Sequence, residues 1–395
     1  MKAITRRLAV PVDLNDVAGE TGFLFVCDGV GIAGRGVAAE VPVDDLTAFL
    51  AGIEREDHVG LPGCGPVALG VLPFTPGAPA SFVVPKVVVG KGPDGDVWIT
   101  AIDGTIDAAV ARLAASPPPV PDAGAFSVRP GVPVDTYLAA VVAGRDAVRA
   151  GTITKVVIAR DVFVTAEKPL DVRAILRRLR ASFGSSYRFS INGFVGASPE
   201  LLIERTGDQV RARPLAGTTP RTGDPETDAR LAADLLSSMK NQVEHRVVID
   251  VVNETLLPWC SYLDWETEPS ILAVANVQHL ATRLQGSLSR PAASVLDMAR
   301  ALSPTPALGG HPRKDALAII AAVEGMERGP YGGAVGWVDV DGNGSFAVAI
   351  RCAQIDGHQA RLFAGGGIVA ESDPLAELAE TQAKFQAMLA AIVRP

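Results

Sequence analysis

The chain has 395 residues, of which 48% are hydrophobic, and that is ample material for a buried core, so a disordered chain is ruled against. Its 36 basic residues stand against 44 acidic ones, a net charge of −8 with no basic run of five or more. This argues against nucleic acid or an anionic membrane as partner, because neither would release counterions to such a surface. Cys27, Cys64, Cys260 and Cys352 are scattered without a Cys-x-x-Cys pair, which argues against a disulfide framework or a zinc site and reads as reduced, mostly buried thiols.

The N-terminus starts positive like a leader, but its apolar run Leu8–Val10 is stopped by Pro11 and Asp13. No stretch approaches the ~18 apolar residues that a membrane crossing needs. A cytoplasmic protein is expected.

Residues 1–115 alternate short β-rich runs (Phe23–Cys27, Phe82–Val89, Val97–Ala101) with turn chemistry such as Gly92–Asp96, and read as antiparallel sheet. The proline-dense Ser116–Pro121 can neither continue a helix nor pair inside a sheet, so 116–133 reads as a surface crossing. Beyond it come a helix over Val134–Ala150, a strand over Lys155–Val164, a helix over Asp171–Phe183 and strands over Tyr187–Val195 and Leu201–Arg205. Asp224-Pro225 opens one long helix, read to about Leu257, with Leu231, Leu235, Met239, Val243, Val247 and Val251 as its apolar stripe. From Gly332 a meander follows: Ala334–Val340, Ser345–Gln354 and Arg361–Ala364, then a loop at Gly365–Gly367. A final helix runs from near Asp373-Pro374 to Ile392 with Leu375, Leu378, Phe385, Leu389 and Ile392 on one face. Helices on antiparallel sheets predict an α+β architecture.

Several motifs admit two readings. Gly29–Gly34 matches G-x-G-x-x-G, yet Gly36 and Pro42 break the helix that a dinucleotide site requires, so a glycine-rich hairpin is the better reading. Lys155 at a strand end is a solvated charge, or, facing a closed pocket, a base favoured by desolvation. Glu200, between two apolar runs, caps a turn or holds a proton for a leaving group. Glu244, Glu377 and Glu380 are solvated helix carboxylates or oxygen ligands for a hard cation such as Mg²⁺, and Lys384 pairs with Glu380 at i,i+4. Arg351 lies in an apolar strand and needs an anionic partner, from the protein or from a ligand. Gly365, Gly366 and Gly367 would let backbone amides approach a carboxylate, or simply turn the chain.

Taken together, Lys155–Arg160, Gly196–Leu202, Arg213–Thr218, Glu244-His245, Gln278–Thr282, Ser303–Gly310, Tyr331–Trp337, Ile350–Cys352 and Phe363–Val369 resemble, in order, the motifs of the chorismate-utilising enzymes, and most closely the isochorismate synthases. The resemblance covers about residues 150–390 and is looser before that. It implies a large α/β sandwich of antiparallel sheets with flanking helices, the anthranilate synthase component I-like fold, with residues 1–115 as a β-rich half and 134–395 as the catalytic region of one integrated body. It further implies that Glu244 and Glu380 bind Mg²⁺ with Glu377 close by, that Lys155 activates water for attack at C2 of chorismate, and that Glu200 protonates the departing C4 hydroxyl. Arg351, Tyr331, Lys384 and Gly365–Gly367 would hold the substrate's carboxylates, while Gly217, Thr218, His279, Ala307 and Leu308 would line the ring pocket. Members that use ammonia lack a lysine at the position of Lys155, so water is the expected nucleophile. The loop Pro304–Leu308 resembles that of enzymes releasing isochorismate rather than the salicylate synthases, which remain the alternative together with a non-catalytic chorismate-binding subunit. A single-chain protein acting on a small molecule is the default expectation, its product feeding a siderophore, salicylate or menaquinone.

Overall fold

A computed structural model describes residues 1–114, 124–274 and 277–393, so the proline-dense segment lies outside the described residues. Among them, twenty strands form one sheet and three form a second. The large sheet splits into two arms at the strand Ser81–Lys91. Pro85, with no N–H to donate, sits where the split occurs, and a bulge between Val37 and Ala39 of the neighbouring strand Val30–Pro42 marks the same bend.

One arm follows the second half of that strand. It runs through Val30–Pro42, Phe23–Cys27, Tyr187–Ile191, Phe194–Ser198, Cys352–Asp356 and Gln359–Ile368 to Lys155–Ala166, every pairing antiparallel. The other follows the first half through Val67–Leu72, Ala334–Asp339, Gly344–Val348, Leu201–Thr206, Gln209–Arg213 and Leu284–Leu288 to Cys260–Trp265. Phe189 and Phe194 of the first arm share a buried core with Phe82 and Phe346 of the second, so the arms pack as a sandwich. The outer face of the first arm is covered by Val172–Phe183 and Pro374–Val393, whose Ile175, Leu176, Leu179, Phe385 and Met388 bury Leu24, Val164, Val195 and Leu362. Val134–Arg149 and Arg313–Val323 pack on Val156, Ile158 and Ile368. The expected α+β architecture is what the chain adopts, and no helix among the described residues is long and apolar enough to cross a membrane.

Two strands change arm. One passes from Phe194–Ser198 through Pro199 and Glu200 into Leu201–Thr206. The other passes from Gly344–Val348 through 349–351 into Cys352–Asp356. The crossings run side by side: Val348 donates its N–H to the Glu200 carbonyl at 3.0 Å, and Ala197 donates to the Arg351 carbonyl at 3.0 Å.

Several sequence expectations need correction. The long helix is two, Pro225–Ser237 and Met239–Leu256, because Ser238 is extended (ψ 106°) and its hydroxyl caps the second helix through Asn241 N–H. The expected stripe fails there as well. Met239 is 72% and Val243 61% exposed, while His245, Val248, Ile249, Val252 and Leu256 are buried. Tyr187–Val195 is a hairpin that turns at Asn192-Gly193, both at positive φ. Ser345–Gln354 is broken at the crossing, so Arg351 lies between strands rather than in one, at φ +51°. Gly365–Gly367 is not a loop but the paired interior of Gln359–Ile368, opposite Ala159, Ile158 and Val157. In the last helix Leu375 is 67% exposed and the buried face is carried by Thr381, Phe385, Ala387, Met388, Ala391 and Ile392. The G-x-G-x-x-G segment is a hairpin: Asp28 and Gly29, both at positive φ, join Phe23–Cys27 to Val30–Pro42.

Candidate active site

The two crossings open onto a cavity of about 300 Å³. Glu200 and Arg351 reach it from the crossings, and Lys155 from the first residue of its strand, which pairs with His311. Gly217 and Thr218 come from the small sheet, where Thr218 is opposite His279. Glu244 comes from the second of the two helices, Glu377, Glu380 and Lys384 from the last helix, Ala307 and Leu308 from the proline-rich loop, and Tyr331 from the turn before Ala334–Asp339. Gly365 and Gly367 complete the wall. Of the residues expected at the site, Gly366 alone does not line the cavity. It passes behind Glu377, and a Cβ on it would fall 2.6 Å from Glu377 Oε2. A Cβ on Gly367 would fall 2.7 Å from Lys155 Cε, so these glycines serve close approach by side chains rather than amide exposure in a loop.

The charges are arranged unequally. Lys155, 7% exposed, places Nζ 2.5 Å from Glu244 Oε1. Lys384 Nζ donates to Glu380 Oε1 at 2.6 Å and to the Gly365 carbonyl at 2.7 Å. Arg351 is buried, and its guanidinium makes no hydrogen bond or ion pair with any described residue, which leaves a desolvated cation facing the cavity. Burial lowers its affinity for the proton.

Glu200 is 2% exposed, and burial pushes its carboxyl up to about 8 against the opposing pull of the Leu215 N–H, Lys155 and Arg213. Near neutral pH it is a protonated acid. Burial, Arg351 and Lys384 push His279 down to about 3, so it is neutral. Its Nδ1 lies 2.9 Å from the Thr218 hydroxyl, and its buried Nε2 has no hydrogen-bond partner among the described residues.

The carboxylates suit a hard cation. Glu377 accepts the Ser372 hydroxyl at 2.8 Å on Oε1, whereas its buried Oε2 has no partner among the described residues, and burial raises its proton affinity. Burial pushes Glu380 up as well, but Lys384, Arg351 and Lys155 together hold it below its ordinary value. As the side chains stand, no three acidic, cysteine or histidine groups among the described residues converge on one point. Glu244 and Glu380 lean instead on Lys155 and Lys384.

Sequence reasoning missed Lys240, Asn241, Val157, Leu215, Ala216, Ile350, Phe363 and Ala364, which also line the cavity. Lys240 had a signal, because it stands one helical turn before Glu244 and so shares its face.

The profile of the chorismate binding enzymes matches residues 68–393. The chain belongs to this family. A Mycobacterium tuberculosis protein named MenF is 42% identical to this chorismate-binding enzyme over 347 residues, covering 84% of the chain and 87% of the relative. The isochorismate synthase DhbC of Bacillus subtilis is 37% identical over 341 residues, 83% and 81% of the two chains. The solved structure of the menaquinone-specific isochorismate synthase MenF from Escherichia coli superposes with a TM-score of 0.84, covering 98% of this chain and 94% of that one, at 24% identity, and shares the fold.

Proposed function

We propose that the chain is an isochorismate synthase, converting chorismate to isochorismate by adding water at C2 and expelling the C4 hydroxyl. The observation that carries this reading is the geometry: a buried Glu200 and the side chain of Lys155 open on the same cavity from different elements. Such a site holds an acid and a base on different elements around one small substrate.

Arg351 and Lys384 supply positive charge for the two carboxylates of chorismate, and the wall of Tyr331, Phe363 and Leu308 strengthens those contacts by keeping water from one side of them. Glu244, Glu377 and Glu380 would hold Mg²⁺, which when bound would neutralise the ring carboxylate and polarise the ring toward attack. Lys155 takes a proton from the incoming water as its oxygen bonds to C2. Glu200 gives its proton to the C4 hydroxyl, which leaves as water while the ring double bonds shift. One water enters and one leaves, so the reaction is an isomerisation.

The test is the turnover of chorismate by Lys155→Ala and Glu200→Gln. Each is expected to lose about 10²- to 10⁴-fold in kcat, the usual share of a general acid or base, with KM changed only a few-fold because Arg351 and Lys384 are untouched. Full turnover by either variant removes that residue from the mechanism.

A further inference from the structure

We propose that Glu324 and Arg328 are positioning residues that lock the strand carrying Lys155 to the Ala307-Leu308 loop and to Tyr331. The edge of Lys155–Ala166 opposite the glycine strand is paired in two pieces: by Gly310-His311 at residues 155–156 and by Phe126–Pro130 at residues 162–166. Between them lies a gap with no strand neighbour, and buried backbone groups there need other partners.

Loop backbone closes its two ends, the Val157 N–H donating to the Gly309 carbonyl at 3.1 Å and the Gly131 N–H to the Asp161 carbonyl at 2.9 Å, and two side chains fill the rest. The Ala159 N–H donates to Glu324 Oε1 at 2.7 Å, and the Val157 carbonyl accepts from Arg328 Nη2 at 2.7 Å. Arg328 Nη1 donates to the Leu308 carbonyl at 2.8 Å, and its Nε donates to Glu324 Oε2 at 2.8 Å, with a second, shorter contact from Nη2 to Oε1. The guanidinium stacks 4.1 Å from the Phe74 ring centroid and 5.9 Å from that of Tyr331. Both side chains are almost wholly buried, 2% and 1% exposed. One planar fork therefore touches three walls of the cavity without reaching it. Arg351, Glu200 and Lys384 stand on elements the pair does not touch. Loosening it shifts the base, together with the Leu308 and Tyr331 walls, relative to a substrate whose carboxylates Arg351 and Lys384 still hold.

Arg328→Lys keeps the charge but replaces the fork with a point donor that cannot serve Glu324, Val157 and Leu308 together. In the ligand-free protein, amide hydrogen exchange is expected to quicken at least tenfold in residues 155–160 and 305–310, with the remaining segments unchanged. In the chorismate assay, which rests on the isochorismate reading, kcat is expected to fall about 10- to 100-fold with KM within threefold. Glu324→Gln, which keeps an acceptor for Ala159 but strips Arg328 of its counter-charge, is expected to give the same pattern in milder form, and it decides the matter if Arg328→Lys does not fold. Unchanged exchange in both segments, or exchange raised evenly through the chain, overturns the proposal. Wild-type protein that leaves chorismate untouched sinks the isochorismate reading instead, and the exchange data then judge the pair alone.

Discussion

Glu200 carries opposite demands for stability and for chemistry. Its folded proton affinity, pushed up to about 8 by burial, exceeds that of an unfolded glutamate, so the stability it allows is fully present below pH ~4.5 and is lost as pH rises through about 8. Glu200→Gln has nothing to ionise. The melting-temperature difference, variant minus wild type, is therefore expected to grow more positive from pH 5 to pH 8 in scanning calorimetry. The kcat of the wild type is expected to fall over the upper part of the same range as the acid loses its proton. A flat difference across that range would contradict burial as the cause of the shift. Gly366 makes a second residue-scale prediction. Gly366→Ala drives a methyl against Glu377 Oε2, so if the proposed Mg²⁺ site is where the three glutamates stand, half-saturation by Mg²⁺ in the activity assay should move up by about tenfold or more, while the wild-type value would contradict a role for Glu377 in that site.

At the scale of elements, the two helices between Pro225 and Leu256 show where periodicity misleads. Leu231, Leu235, Met239 and Val243 keep a four-residue spacing across Ser238, but Ser238 resets the helix and the second one turns a polar face, Lys240, Asn241 and Glu244, toward the cavity. A helix lining a charged site buries fewer apolar positions than its composition suggests, and the exposed ones look like a stripe. Leu256→Ala, at a site 1% exposed, is expected to cost about 2–5 kcal/mol in urea unfolding, and Met239→Ala to stay within about 0.5 kcal/mol. The reverse order would restore the single-helix reading. The hairpins at Asp28-Gly29 and Asn192-Gly193 carry the dipeptide signal for their turns, and the first was legible. The break at 349–351 carries none, because Ala349, Ile350 and Arg351 are ordinary strand residues and Arg351 takes a positive φ only where its strand changes arm. Gly365–Gly367 reads as a loop by composition and is a strand paired with Lys155–Ala166, glycine standing there because the side chains of Glu377 and Lys155 pack close against Gly366 and Gly367.

For the whole molecule, the active site is a product of connectivity. Glu200 and Arg351 are 151 positions apart, yet they meet because two strands cross between the same two arms side by side. Hydrophobic patterning announced sheets with covering helices, but not which strands change arm, since a crossing needs only a short irregularity. The identities at the site were legible as an ordered set of motifs, whereas their spacing alone left lysine, glutamate and arginine with ordinary surface readings. Packing decides between those readings: 2% exposure for Glu200, and a buried Arg351 guanidinium that faces the cavity without an ion-pair partner among the described residues, are properties of the sandwich. In the proposed reaction this site adds solvent water at C2 of chorismate. The most direct measurement is to incubate the purified protein with chorismate and Mg²⁺ in ¹⁸O-enriched water and to identify the products by NMR and mass spectrometry at short times. Isochorismate with one ¹⁸O on C2 is expected, together with chorismate that slowly gains label at C4 as the reaction reverses. Unlabelled isochorismate, early salicylate with pyruvate, or unchanged chorismate would contradict it.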